Sequence, residues 1–198
     1  MNRIACLIGV AALSASASAA QLFRGFDNNT AGGVPMASTP NADAARADFL
    51  SALTSPLSND LEALANGAGP AVVPFGDSLT MTASGTAFQV RSTQLNSAHG
   101  TQGPRFLYVE PGENLVAITM VFSSPISALG FTFTDASDWF NAGQNPPHLM
   151  FRIEISPGIT IDTSLITGLN TNEIRDGSTG FFGFIADAPF TSVTIFRP

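Results

Sequence analysis

From Pro70 onward the chain alternates apolar and polar residues in short runs broken by Gly, Pro, Asn and Ser, which is the period-two signature of strands with one buried face. The clearest run is 148–156, where Leu149, Phe151, Ile153 and Ile155 alternate with Met150, Arg152, Glu154 and Ser156. Residues 114–123 place Val116, Ile118, Met120 and Phe122 on one side. Residues 126–135 bring Leu129, Phe131 and Phe133 together, while Gly130 leaves room on the opposite face. Further strands are predicted at 78–84, 86–91, 105–109, 179–186 and 190–196. Roughly seven or eight short strands, with turns every 8–12 residues or so, predict an antiparallel β-sandwich or jelly roll.

Residues 41–66 carry the one helical signal. Asn41 or Asp43 is placed to cap a helix running to Leu53, with Phe49, Leu50 and Leu53 on one face. Pro56 interrupts it, and a second helical turn or two is expected over 56–64 before Asn66-Gly67. The expected fold is therefore mainly β, with one or two short N-terminal helices, in a single domain over residues 21–198.

The N-terminus reads differently. Met1-Asn2-Arg3 carries one positive charge, residues 4–13 are apolar, and small residues fill 14–20. This layout predicts a secretory signal peptide over residues 1–20. Cleavage after Ala19 or Ala20 leaves small residues at −3 and −1, so the mature chain is expected to begin at Ala20 or Gln21. The apolar run is too short to cross a ~30 Å hydrocarbon layer as a helix, and no later stretch reaches that length. Cys6, the only cysteine, lies in this segment. The mature chain is thus expected to have no thiol, disulfide or Cys-based zinc site, and to rely on its core.

Charge narrows the partners. The chain has no lysine, and its 8 basic residues, all arginine, face 15 acids for a net charge of −7. Without clustered Lys or Arg, nucleic acid and anionic membrane surfaces are not expected partners. Ser, Thr, Asn and Gly must supply most of the solvated surface, which suits neutral polymers or self-association.

The loop 135–141 is the most interesting chemically, because it holds the only tryptophan, Trp139, with Asp135, Asp138 and Asn141. Trp139 offers a ring to stack on a sugar. Asp135, Asp138 and Asn141 offer oxygens to hydroxyls or to Ca²⁺, which takes six to eight of them. The spacing is not that of an EF-hand loop, and the same residues suit a strand-end turn with Trp139 folded back on the core. For glycoside hydrolysis, Asp135, Asp138 and Glu154 are the carboxylates available to pair at roughly 5–9 Å. Glu154, alternating with Arg152, reads more simply as a solvated cross-strand charge. His99 and His148 read as ordinary loop residues, with no metal-ligand spacing between them. No Gly-x-Ser-x-Gly elbow is present, and Gly32-Gly33 and Gly67-Ala68-Gly69 lack the Lys-Ser/Thr ending of a phosphate loop. Asn28-Asn29-Thr30 fits a glycosylation sequon, a short motif that recurs by chance.

Three stretches carry a resemblance: the strand and acidic turn over 131–138, the Gly180-Phe181-Phe182-Gly183-Phe184-Ile185 segment with its Asp187-Ala188-Pro189-Phe190 turn, and the Ala44-Ala45-Arg46-Ala47-Asp48-Phe49-Leu50 helix. Together they resemble bacterial exported proteins of the PEP-CTERM group over roughly residues 42–196. The resemblance implies a surface or matrix β-sandwich protein associated with exopolysaccharide, and it brings no catalytic residues. Such proteins usually continue into a Gly/Asp-rich strand, Pro-Glu-Pro, an apolar helix and a basic tail, whereas Arg197-Pro198 here follows a strand directly. The expectation is a secreted, non-catalytic extracellular protein that binds polysaccharide or itself. The alternatives are a secreted carbohydrate-active hydrolase, and a truncated remnant of a surface-sorted protein whose sheet edge beside residues 190–196 would lie open.

Overall fold

Two long strands, β7 (Val116–Thr134) and β10 (Thr179–Phe196), form an antiparallel ribbon from which the remaining elements are hung. The computed structural model describes residues 21–30, 34–85, 88–94, 98–109, 116–135, 152–155, 159–162 and 177–196. In chain order the other elements are β1 (Gln21–Asp27), α1 (Pro40–Ser51), β2 (Gly67–Ala68), β3 (Ala71–Phe75), β4 (Leu79–Ser84), β5 (Phe88–Arg91), β6 (Phe106–Val109), β8 (Arg152–Ile155) and β9 (Ile159–Asp162).

One sheet has seven strands in the order β3-β4-β7-β10-β8-β9, with β1 also pairing β10; the other has three, β2-β5-β6. All pairings are antiparallel. The fold is thus mainly β, sandwich-like and open rather than a closed barrel.

The alternation read in the sequence is the alternation of the core. Val73, Met81, Ala83, Met120, Phe122, Ile153, Ile155, Val193 and Ile195 point inward from the large sheet and meet Phe88 and Val90 of the small one. Leu129, Phe131 and Phe133 pack against the same cluster. The first half of β10 is buried on both faces. Phe182 and Phe184 enter the main core, while Phe181 turns to α1 and joins Phe23, Ala42, Ala45 and Phe49. Double-sided burial explains why 180–186 reads as an unbroken apolar run rather than an alternating one.

Four expectations change. The strands predicted at 114–123 and 126–135 are one strand, and so are those at 179–186 and 190–196. Each carries a proline, Pro125 and Pro189, where the β7–β10 register shifts. Prolines are tolerated in strands at such irregularities because the missing N–H need not enter the ladder. Second, β1, β2, β3 and β9 are strands that the alternation above did not single out. Third, the second half of β10 is interior, flanked by β7 and β8, so no open edge lies beside residues 190–196. Fourth, no helix forms over 56–64. Asn59 Oδ1 accepts the Leu61 N–H (2.6 Å), Asp60 Oδ1 accepts the Glu62 N–H (3.1 Å), and Leu61 sits at φ 69°. These side-chain turns capture the backbone N–H groups a helix would use, and positive φ is incompatible with helix continuation.

The start of α1 also differs from expectation. Thr39 occupies the N-cap and Pro40 the first turn. The capping carboxylate comes from another element, Asp27 at the end of β1. Asp27 Oδ1 accepts the Asn41 N–H (3.1 Å) and the Asn41 side-chain amide (2.8 Å), and Oδ2 accepts the Ala42 N–H (2.8 Å). A buried carboxylate is expensive unless hydrogen-bonded. Here three donors and the positive end of the helix dipole surround it, so the same bonds that cap α1 also fasten it to the sheet.

Close approach of α1 to the sheet requires small residues beneath it. Phe49 lies over Gly130 and Gly183, edge-to-face with Phe23 (centroids 5.4 Å) and tilted against Phe181 (5.7 Å). A Cβ on Gly25 would lie 1.9 Å from the Asn41 carbonyl oxygen. Because that obstacle is backbone, Gly25→Ala should cost about 3 kcal/mol or more, the upper end of overpacking effects. Gly183→Ala meets ring atoms of Phe49 and Phe181 at 2.9 and 3.0 Å, which can shift, and should cost about 1–2 kcal/mol. Urea midpoints of the two variants test this ranking, and equal losses would contradict it. Asp27→Ala removes the cap and leaves buried donors, so a loss of about 2 kcal/mol or more is expected by thermal denaturation. A loss within the range of an ordinary surface substitution would show that the β1–α1 tie is not set by this carboxylate.

Candidate functional site

Of the four residues singled out in the loop 135–141, Asp135 is described; Asp138, Trp139 and Asn141 lie outside the described residues, as does His148. Asp135 follows β7 directly and adopts φ 57°, a left-handed conformation that Asp tolerates better than most residues. Its N–H donates to the Ser178 carbonyl (3.0 Å), and its Oδ1 accepts the Gly177 N–H (3.1 Å). The carboxylate therefore helps close the β7–β10 ribbon at this end.

The surrounding polar groups are organised the same way. Thr134 Oγ1 accepts the His99 N–H (3.2 Å) and donates to the His99 carbonyl (3.0 Å), which ties the 98–99 segment to the end of β7. The Ser178 hydroxyl, fully buried, accepts the Asn29 N–H (2.9 Å) and donates to Asn28 Oδ1 (3.0 Å). The sequon asparagine Asn28 is thus engaged in a structural contact. Beside this cluster, Thr179 Oγ1 is buried with no hydrogen-bond partner among the described residues.

Asp135 and His99 also stand at one end of a cleft of about 650 Å³. Residues of β3, β4, β6, both halves of β7 and the segment following α1 line it, and Arg46, Arg105 and Asp60 add charge to an otherwise mostly apolar lining. This volume is typical of small-molecule pockets.

Glycoside hydrolysis asks for two carboxylates a few ångströms apart. Glu154 of β8 pairs with Thr194, which pairs with Thr119 in the first half of β7. Asp135 follows the far end of that strand. At ~3.3 Å per residue the path along β7 between the two levels is on the order of 50 Å, far beyond the ~5–9 Å of a catalytic pair. Asp135 and Glu154 are not brought together. Among the described residues, no three His, Cys, Asp or Glu side chains gather where they could hold a metal ion.

No sequence motif marks the outer face of the large sheet where α1 does not cover it. Cross-strand pairing sets Val72, Thr82, Val121 and Ser192 in one row and Ser84, Thr119 and Thr194 in the next. Val72 is 57% exposed and Val121 48%. The Thr119 and Thr194 hydroxyls lie 3.4 Å apart, and the Ser123 hydroxyl accepts the Thr80 N–H at 3.0 Å. The signal was present in the alternations Thr80-Met81-Thr82-Ala83-Ser84 and Ser192-Val193-Thr194-Ile195, whose apolar positions draw attention first. The chain matches no family model, no curated protein and no solved structure.

If Asp135 serves the turn, Asp135→Asn should keep stability within about 0.5 kcal/mol, since Asn keeps both an acceptor oxygen and tolerance of the left-handed region. Asp135→Ala should lose about 1–2 kcal/mol. Melting curves with and without calcium decide the role. A calcium-dependent rise in Tm that Asp135→Asn abolishes would reassign the residue to an ion site.

Proposed function

We propose that this chain is an exported, non-catalytic extracellular or matrix protein that associates with polysaccharide. The observation that carries the reading is the exposed outer face of the large sheet, where β3, β4, β7 and the second half of β10 present hydroxyl and methyl groups and no charge. An exposed sheet surface ordinarily carries Lys, Glu or Arg; a chain without lysine that leaves this face neutral is suited to a neutral, hydroxylated partner. The signal-peptide pattern over residues 1–20 and the resemblance to PEP-CTERM-type proteins support the same reading. The separation of Asp135 from Glu154 weighs against the hydrolase alternative.

The test is a pull-down of the secreted chain on a panel of insoluble and soluble polysaccharides, with and without calcium, alongside Trp139→Ala. Saturable retention on at least one polymer is expected. Loss of that retention in Trp139→Ala would put the loop 135–141 in the binding site, and no retention on any polymer by a folded chain would remove the reading.

A further inference from the structure

We infer that the bare face of the large sheet is the polysaccharide-binding surface, and that its partner is a neutral polymer engaged as individual chains. This rests on the reading above and adds the site and the class of ligand. Three properties of the face lead there.

The first is charge. The rows Val72-Thr82-Val121-Ser192 and Ser84-Thr119-Thr194 contain none, and the first charged side chain along the second row is Glu154, one strand beyond Thr194. The chain around the face carries −7. An acidic polymer such as a polyuronate would meet net repulsion from the chain as a whole, with no cation in the two rows and Arg152 of β8, opposite Phe196, as the nearest one by register. A neutral one meets neither penalty.

The second is extent. Seven positions in two rows ~6.7 Å apart, on strands ~4.8 Å apart, cover roughly 230 Å². A stable protein–protein interface needs about 800 Å² from each partner, so a second copy of this chain is too large a partner for too small a patch. A narrow linear chain is not.

The third is shape and chemistry. Neighbouring strands rotate by roughly 20° relative to each other, so the face cannot lie flat on a rigid crystalline array, whereas a single flexible polymer chain can follow it. Hydroxyl-to-hydroxyl contacts exchange with water and contribute only about 1 kcal/mol each. The two rows themselves hold no aromatic platform; Phe196, the next outward position on β10, is half-buried opposite Arg152 at their border. Binding of a short oligosaccharide is therefore weak, and retention grows with polymer length as several contacts or several protein copies act on one chain.

Affinity electrophoresis of the secreted chain tests this, in gels containing a soluble neutral β-glucan, a short oligosaccharide of the same linkage, or a polyuronate. Thr82→Lys and Ser192→Lys each place a charge on the face. Ala47→Lys places the same charge on the exposed side of α1, and circular dichroism checks that all variants fold. The neutral polymer is expected to retard the wild-type and Ala47→Lys chains equally. Each face variant should weaken apparent affinity about tenfold, with little retardation by the oligosaccharide or the polyuronate. Equal retardation of all variants by the neutral polymer would overturn the assignment of the face while leaving the polysaccharide reading intact. Stronger retardation by the polyuronate would overturn the choice of a neutral ligand. Failure of every neutral and acidic polymer to retard the wild-type chain would remove both the site and the reading beneath it.

Discussion

Pairing between β7 and β10 determines where every other part of the large sheet can be. Each strand is long enough to serve two neighbourhoods: β10 takes β1 on its first half and β8 on its second, while β7 takes β4 beside its first half. Register shifts separate the halves, and Asp187, Ala188 and Pro189 stand exposed in the excursion. A bulge of this kind bends and twists a strand. It lets one ribbon present a face to α1 at one end and leave the corresponding face open to solvent at the other.

The two ends are built from different residues for that reason. Where α1 docks, the sheet supplies Gly25, Gly130 and Gly183, because Phe49 and the backbone around Asn41 come too close for a Cβ. The buried Asp27 carboxylate then holds the helix start against β1 through three hydrogen bonds. Where no helix docks, the same outward positions become Thr, Ser and Val, residues whose branching or small size suits a pleated surface. Shape and polarity thus divide along one continuous sheet. Phe181, only 3% exposed, and Val121, at 48%, both point to the outer side of that sheet.

Much of this was legible in the sequence. Period-two alternation located β4, β5, β6 and the inward residues of β7, β8 and β10, because burial of one face writes itself directly into side-chain type. Strand continuity was not legible. Pro125 and Pro189 are ordinary turn signals, and only the pairing partner reveals that each sits in a bulge rather than between strands. β1 was hidden because Leu22 and Phe26 face one core and Phe23 the other, which erases the alternation. The cap of α1 could not be read locally, since Asp27 lies a dozen residues before the helix and acts through tertiary structure. At the candidate loop, Asp135 could be read equally as ligand or turn residue, and its bonds to Gly177 and Ser178 express the turn. The Thr-rich face was visible letter by letter. Its unity was not, because rows across strands exist only once register is known.

The edge of the large sheet bears on which surface is left to interact. Open strand edges invite pairing with other chains, and a β protein with few charges is exposed to that risk. At β3 the chain answers it locally. Pro74 has no N–H to offer, and its carbonyl already accepts the Asn59 side-chain amide at 2.7 Å. An incoming strand would find neither donor nor free acceptor at Pro74 on that edge. Self-assembly by strand addition at β3 is disfavoured by this arrangement, whereas the adjacent face, with Val72 on the same strand exposed to solvent, carries no such block. The strand that closes one route to association borders a surface that keeps another open, and that surface offers hydroxyl and methyl groups rather than unpaired backbone.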